Sequence, residues 1–148
     1  MNRRFAPIAA VCLSACLWTA PAFAGSCELT GAAQDGAKAA GSCKGCHALE
    51  AGAKPRATGP NLHDVFERKA GADESFTRYS AAMKAAAEGG VVWTATDLAE
   101  YLADPKAYLN KKNGKTMPHG MFFQVKEPEK VQQLVAFFEA IKGNTDCP

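Results

Sequence analysis

Cys43-Lys44-Gly45-Cys46-His47 is the stretch whose residue types and spacing could do chemistry. Two thiols three positions apart on a helical turn can add to the two vinyl groups of one porphyrin, and the imidazole that follows then projects at the iron from one side. A zinc site would need a second Cys/His pair at matching spacing, and the sequence has none. A thioredoxin-like dithiol would sit in a strand–helix–strand setting, which is also absent. The spacing predicts one c-type haem, held covalently through Cys43 and Cys46 and ligated by His47. A low-spin iron then needs a second axial ligand from further along the chain. Met83, Met117, Met121, His63 and His119 are the candidates. Met83 lies in an Ala-rich helical stretch and reads as core packing. His63 follows His47 so closely that it belongs on the same side of the ring, and reads as a surface histidine.

These residues must be carried by local elements. An Ala-rich segment over 35–43 predicts a short helix leading into the cysteines. A second helix is predicted over 79–88, stopped by Gly89-Gly90. Thr94 with Asp97 offers an N-cap, followed by Leu98, Tyr101 and Leu102 on one stripe, and Pro105 ends that helix. The last helix starts near Pro128 and sets Val131, Leu134, Val135, Phe138 and Ile141 at helical spacing. Val91-Val92-Trp93 is the only β-like patch. The long segments 48–75 and 106–126 read as irregular, and loops of that length in a small domain need a cofactor to fold around.

The chain has 148 residues, 47% of them apolar and 22% charged, which fits one folded domain and argues against disorder. With 17 basic against 15 acidic residues there is no basic excess to suggest nucleic acid. Arg3 and Arg4, an apolar run over 5–18 and Ala22-Phe23-Ala24 predict a secretory signal peptide over 1–24, cleaved after Ala24 and leaving one domain over 25–148. Leu13-Ser14-Ala15-Cys16 offers the competing cut, a lipid anchor on Cys16. Cleavage after Ala24 removes Cys12 and Cys16 and leaves Cys27, Cys43, Cys46 and Cys147 in the periplasm, an oxidising compartment where disulfides persist. The expectation is a monomer that is not embedded in the membrane.

Beyond the Cys-x-x-Cys-His motif, Thr58-Gly59-Pro60-Asn61-Leu62, Phe66 with Arg68-Lys69-Ala70-Gly71, Phe76, Tyr79, Trp93, Leu98, Tyr101-Leu102, Pro105 and Met121-Phe122-Phe123 occur in one order. The sequence in this respect resembles the class I cytochromes c, the mitochondrial type and its soluble relatives in photosynthetic and denitrifying bacteria, over nearly all of 35–142. The resemblance implies an all-α fold of four to five short helices and long loops around one covalent haem. It also implies a one-electron carrier that is not an enzyme. Residue by residue, it makes Met121 the sixth ligand, because Met-x-Phe precedes the terminal helix at the family's distance. Met117, followed by Pro118, is the alternative, and His119 the next. Pro60 matches the proline whose carbonyl holds the haem histidine. Arg68 and Trp93, with Tyr79, match the residues that meet a buried propionate, and Tyr101 the hydroxyl near the Met sulfur. Leu62, Phe66, Leu98, Leu102, Phe123 and Phe138 would form the apolar shell. The family packs its first and last helices together, which implies a disulfide between Cys27 and Cys147. Lys106, Lys111, Lys112, Lys115 and Lys126 would form a basic rim for redox protein partners, with the acids Glu88, Asp97, Glu100 and Asp104 in other segments. Two rivals remain: a haem protein with a labile sixth ligand that binds peroxide, NO or CO, and a membrane-anchored electron-entry subunit of one dehydrogenase or oxidase.

Overall fold

The computed structural model describes residues 26–148, so the leader read over 1–24 and the alternative anchor at Cys16 lie outside the described residues. Five α-helices follow in order: α1 (Gly31–Ala39), α2 (Ala81–Glu88), α3 (Ala95–Ala103), α4 (Pro105–Asn113) and α5 (Pro128–Ile141). A 3-10 turn, Ala40–Cys43, carries α1 directly into the cysteine motif. The only β pairing among the described residues is one antiparallel bridge, Lys69 with Val92, so the fold is all-α. Through that bridge the patch at Val91–Trp93 is fixed to the segment bearing Arg68, with Trp93 N–H on Arg68 O at 3.0 Å and Glu67 N–H on Trp93 O at 2.9 Å.

The helix starts are set by short polar side chains taking up backbone N–H groups that have no partner inside the helix. Ser80 Oγ accepts from Met83 N–H at 3.2 Å. Thr94 Oγ1 accepts from Asp97 N–H at 3.2 Å and donates to Asp97 Oδ2 at 2.6 Å. Asp104 Oδ1 accepts from Ala107 N–H at 2.9 Å. α5 needs no such cap; its stripe Val131, Leu134, Val135, Phe137, Phe138 and Ile141 is buried, and burial of apolar area drives it into place. α1 lies across it at a very close crossing. A Cβ on Gly36 would stand 1.9 Å from the Gln133 carbonyl oxygen, so only glycine allows the approach. Cys27 and Cys147 are joined by a disulfide spanning 120 residues, which ties the segment before α1 to the tail after α5.

Three elements differ from the sequence expectation. The second helix, read over 79–88, begins at Ala81, because Ser80 stands outside it as the N-cap. The first helix begins at Gly31 rather than 35, because packing on α5 extends it beyond the Ala-rich core of the segment. The segment 106–126 is not irregular throughout. Pro105 stands at the first turn of α4 with Asp104 as its cap, so the proline that ends α3 also starts the next helix, which stops at left-handed Gly114.

Candidate cofactor site

A cavity of about 450 Å³, within the range of cofactor pockets, opens between the cysteine motif, α2, α3 and the segment before α5. Cys43, Cys46 and His47 line one side. Both thiols are free, and burial pushes that of Cys43 up to about 11, with Cys46 adding to the rise. The other walls include Leu62, Val65, Phe76, Met83, Leu98, Leu102, Phe123 and Phe138. The lining is mostly apolar and meets Arg68, Tyr79, Trp93 and Tyr101 at its polar part. Two thiols beside one imidazole, facing an apolar slot whose lining includes two guanidinium groups, those of Arg68 and Arg78, fit a covalently attached tetrapyrrole bearing acidic side chains.

His47 is positioned with unusual tightness. Its Nδ1–H donates to the Pro60 carbonyl at 2.8 Å, which fixes the tautomer and turns Nε2 away from the loop. Burial holds the imidazole below its ordinary value; the Pro60 bond opposes that shift and the Arg68 charge adds to it. The loop over the ring is itself pinned, since Arg56 Nε donates to His47 O at 3.0 Å and Thr58 Oγ1 donates to Cys46 O at 3.0 Å. Asn61 closes the loop from behind: its side-chain amide donates to Glu50 O and Ala53 O, both at 2.8 Å, and its carbonyl receives Arg68 Nη2 at 2.8 Å. Tyr79 Oη accepts from Asp73 N–H at 3.3 Å.

On the far side, Met121 lines the cavity and Met117 does not. The segment between α4 and α5 is fastened at three points: Met117 N–H on Asn110 Oδ1 at 3.4 Å, Pro118 O accepting from Ala82 N–H at 3.1 Å, and Val125 N–H on Leu102 O at 2.9 Å. Met121 is the methionine between those anchors. His119 turns back along the segment, its Nδ1 3.0 Å from Met121 O and its ring against Phe122. Met83 lines the cavity besides packing on the core. Phe66 is buried in the core but is not part of the lining.

Three expectations change in the structure. His63 is not a surface residue. It is 2% exposed, with Nε2 3.0 Å from the Asn144 carbonyl, because the tail after α5 folds over it. Lys111 and Lys112 are not free: α4 packs on α3, and the lysines meet Glu100 at 2.9 Å and Asp97 at 2.5 Å. The acids of α3 are thus neighbours of the α4 lysines rather than members of a separate region. Tyr108, which had no assigned role, is buried beside Trp93 and Tyr101. Asp104-Pro105 reads equally as a helix end or a helix start, and only the packing of α4 turns Tyr108 and Leu109 inward.

The chain is similar to known proteins in sequence and in fold. A cytochrome c2 of Afifella marina is 41% identical over 97 residues, covering 66% of this chain and 72% of the relative. Cytochrome c-550 of Novispirillum itersonii is 36% identical over 113 residues, 76% of this chain and 100% of the relative. Among solved structures, ferric cytochrome c-550 from Paracoccus versutus superposes with a TM-score of 0.67 at 33% identity, covering 76% of this chain and 99% of that one. Cytochrome c2 from Paracoccus denitrificans gives 0.68 at 32%, covering 78% and 99%. No protein-family model matches the sequence. The fold and site define a c-type cytochrome, an electron carrier with one covalent haem c on its cysteine pair. Within that class, the chain belongs to the class I cytochromes c, among the bacterial c2 and c-550 proteins.

Proposed function

We propose that residues 25–148 act after export as a soluble, monomeric, non-enzymatic shuttle whose iron is held by His47 and Met121. When bound, the haem supplies reversible one-electron exchange between Fe(II) and Fe(III). The observation that carries the ligand assignment is that Met121 lines the same cavity as His47, whereas Met117 is not among its walls. With His47 and Met121 as its protein ligands, the iron would have no open position for substrate or dioxygen, and a soft thioether would favour the reduced state. Pro60 fixes the histidine; Arg68, Trp93 and Tyr79 would meet the acidic edge of the bound ring, Tyr101 would serve the thioether side, and the apolar wall would exclude water.

Partners of acidic surface would dock at the rim of the cavity, where Phe122 stands exposed. Of the five rim lysines, Lys106, Lys115 and Lys126 carry this reading, because Lys111 and Lys112 are engaged on α3. Such docking is weak and screened by salt, so electron exchange should slow as salt rises. Among the described residues no helix is long and apolar enough to cross a membrane, which supports a carrier outside the bilayer.

The deciding experiment uses the ferric protein. Thioether-bound ferric haem has a weak red absorption band. Met121→Ala should abolish it and allow the reduced protein to bind carbon monoxide, and Met117→Ala should keep it. The opposite pattern would transfer the ligand to Met117, and rapid carbon monoxide binding by the unaltered protein would favour the labile-ligand rival.

A further inference from the structure

His63 is buried but does not line the cofactor cavity, so nothing said so far uses its ring. Its Nε2 lies 3.0 Å from the Asn144 carbonyl oxygen, which can only accept, so Nε2 carries the proton and donates. Nδ1 is 3.2 Å from Asp64 Oδ2 but out of line for a hydrogen bond, so the Asn144 bond is what holds the ring. The tail after α5 is fastened to the same stretch at two more points. Gly143 N–H donates to Asp64 Oδ1 at 2.9 Å, and Lys142 pairs with Glu67. Glu67 is the only non-glycine residue with left-handed backbone among the described residues, at φ 57°. Such a conformation persists where the surrounding contacts impose it. The far end of the tail is closed by the disulfide from Cys147 to Cys27.

The clamped stretch is also the one that serves His47. His63 N–H donates to Asn61 Oδ1 at 2.8 Å. Asn61 is 9% exposed; its side-chain amide is bound to Glu50 O and Ala53 O, and its carbonyl receives Arg68 Nη2. The residue before it is Pro60, whose carbonyl accepts His47 Nδ1–H at 2.8 Å. A continuous line of contacts therefore runs from the disulfide-tied tail through His63 and Asn61 to the imidazole. We propose that His63 is a positioning residue for the haem histidine. The tail clamps the His63 ring, His63 sets Asn61, and Asn61 keeps the Pro60 carbonyl in place for Nδ1–H. The inference rests on the reading of His47 as an iron ligand. The bond that is protected in this way makes the imidazole a stronger donor, and a stronger donor favours Fe(III) over Fe(II). With the clamp released, the loop holds Pro60 less firmly, the Nδ1–H bond lengthens and the reduced state gains. The C-terminal tail thereby belongs to the redox site although it lies outside the cavity.

The test reads the His47 Nδ1–H resonance by nitrogen-15 NMR in the ferrous holoprotein, together with the midpoint potential. His63→Leu keeps an apolar filling and removes the donor. Gly143→Val disturbs the tail from the other side with the disulfide intact: Gly143 has φ +70° and a Cβ there would meet nothing within 4 Å, so the strain falls on the backbone alone. Each variant should move the Nδ1–H resonance upfield, raise the potential and quicken exchange of that proton with deuterium oxide about tenfold, the size of one lost buried hydrogen bond. Combining the two should add little to either, because both release one clamp. His63→Gln, which again offers an N–H to Asn144, should return both readings most of the way. A stabilising role alone would lower the guanidinium midpoint and leave the resonance and the potential where they are in the parent; that result overturns the proposal, as do additive effects in the combined variant. The low-spin haem spectrum and the ring-current-shifted His47 carbon-bound protons of the parent test its ligation separately, so failure of that reading is distinct from failure of this one.

Discussion

Gly59→Ala puts the geometry around His47 under the most direct strain. A Cβ at Gly59 would lie 2.3 Å from His47 Cε1, 2.5 Å from Nδ1 and 2.9 Å from Cys46 O. Reaching the 3.4 Å at which ordinary contact begins requires a displacement of about 1.1 Å between ring and loop. The ring cannot yield that far without stretching its 2.8 Å bond to Pro60. The loop cannot yield easily either, because Arg56 and Thr58 bind it to the carbonyls of His47 and Cys46. Overpacking of this kind costs about 1–3 kcal/mol, and a weakened buried hydrogen bond about 1 kcal/mol more, so a loss of about 2–4 kcal/mol is expected. Guanidinium unfolding of the holoprotein, followed by Trp93 fluorescence, measures it. Gly41→Ala is the control, since nothing lies within 4 Å of a Cβ there. If Gly59→Ala unfolds within about 0.5 kcal/mol of the parent, as a surface substitution would, the close packing of loop on histidine is not what holds the ring.

Two further expectations concern the chain ends. Replacing Cys27 and Cys147 together by Ser opens a loop with a sequence separation of 120. On the chain-entropy account this lowers the unfolding free energy by up to about 5 kcal/mol, measurable by the same guanidinium titration. Asp64 holds the tail by accepting Gly143 N–H at 2.9 Å, and that bond is the largest cause lowering its carboxyl below the ordinary range. A depressed carboxyl contributes stability that is present above its unfolded value and lost as pH falls through the folded one. Asp64→Asn should therefore flatten the loss of thermal stability below about pH 4, with a modest effect because the group is largely exposed.

What could be read from the sequence was whatever local chemistry fixes. The Cys43–His47 spacing, the Thr94 cap and the stripe of α5 each depend on residues within a few turns of one another, and each has its counterpart in the structure. What could not be read depended on contacts made far along the chain. Asp104-Pro105 is equally good as a helix end or a helix start. Tyr108 and Leu109 settle the matter by burying themselves against α3 and its neighbours, which no local pattern announces. His63 looks exposed by composition, and only the return of the tail 81 residues later covers it. In the same way the first helix gains a turn because α5 lies against Gly36.

The α3/α4 contact also changes how charge should be counted on this surface. Lysine positions in a sequence suggest a rim only if each side chain is free to face a partner. Here Lys111 and Lys112 lie against Glu100 and Asp97, and Lys112 is only 34% exposed in its side chain. Their positive charges are thereby largely neutralised as seen from a distance of a Debye length. Lys106, Lys115 and Lys126 make no such ion pair among the described residues. The same packing that removes two lysines from the rim sets Tyr108 Oη on Asp97 Oδ1 at 2.9 Å. Reversing Lys126 to Glu should therefore weaken salt-dependent docking more than Lys111→Glu, whose main effect is to place two acids together at α3. Stopped-flow electron exchange with an anionic partner at low and high salt separates them: equal losses in both variants would mean that the paired lysines still face the partner.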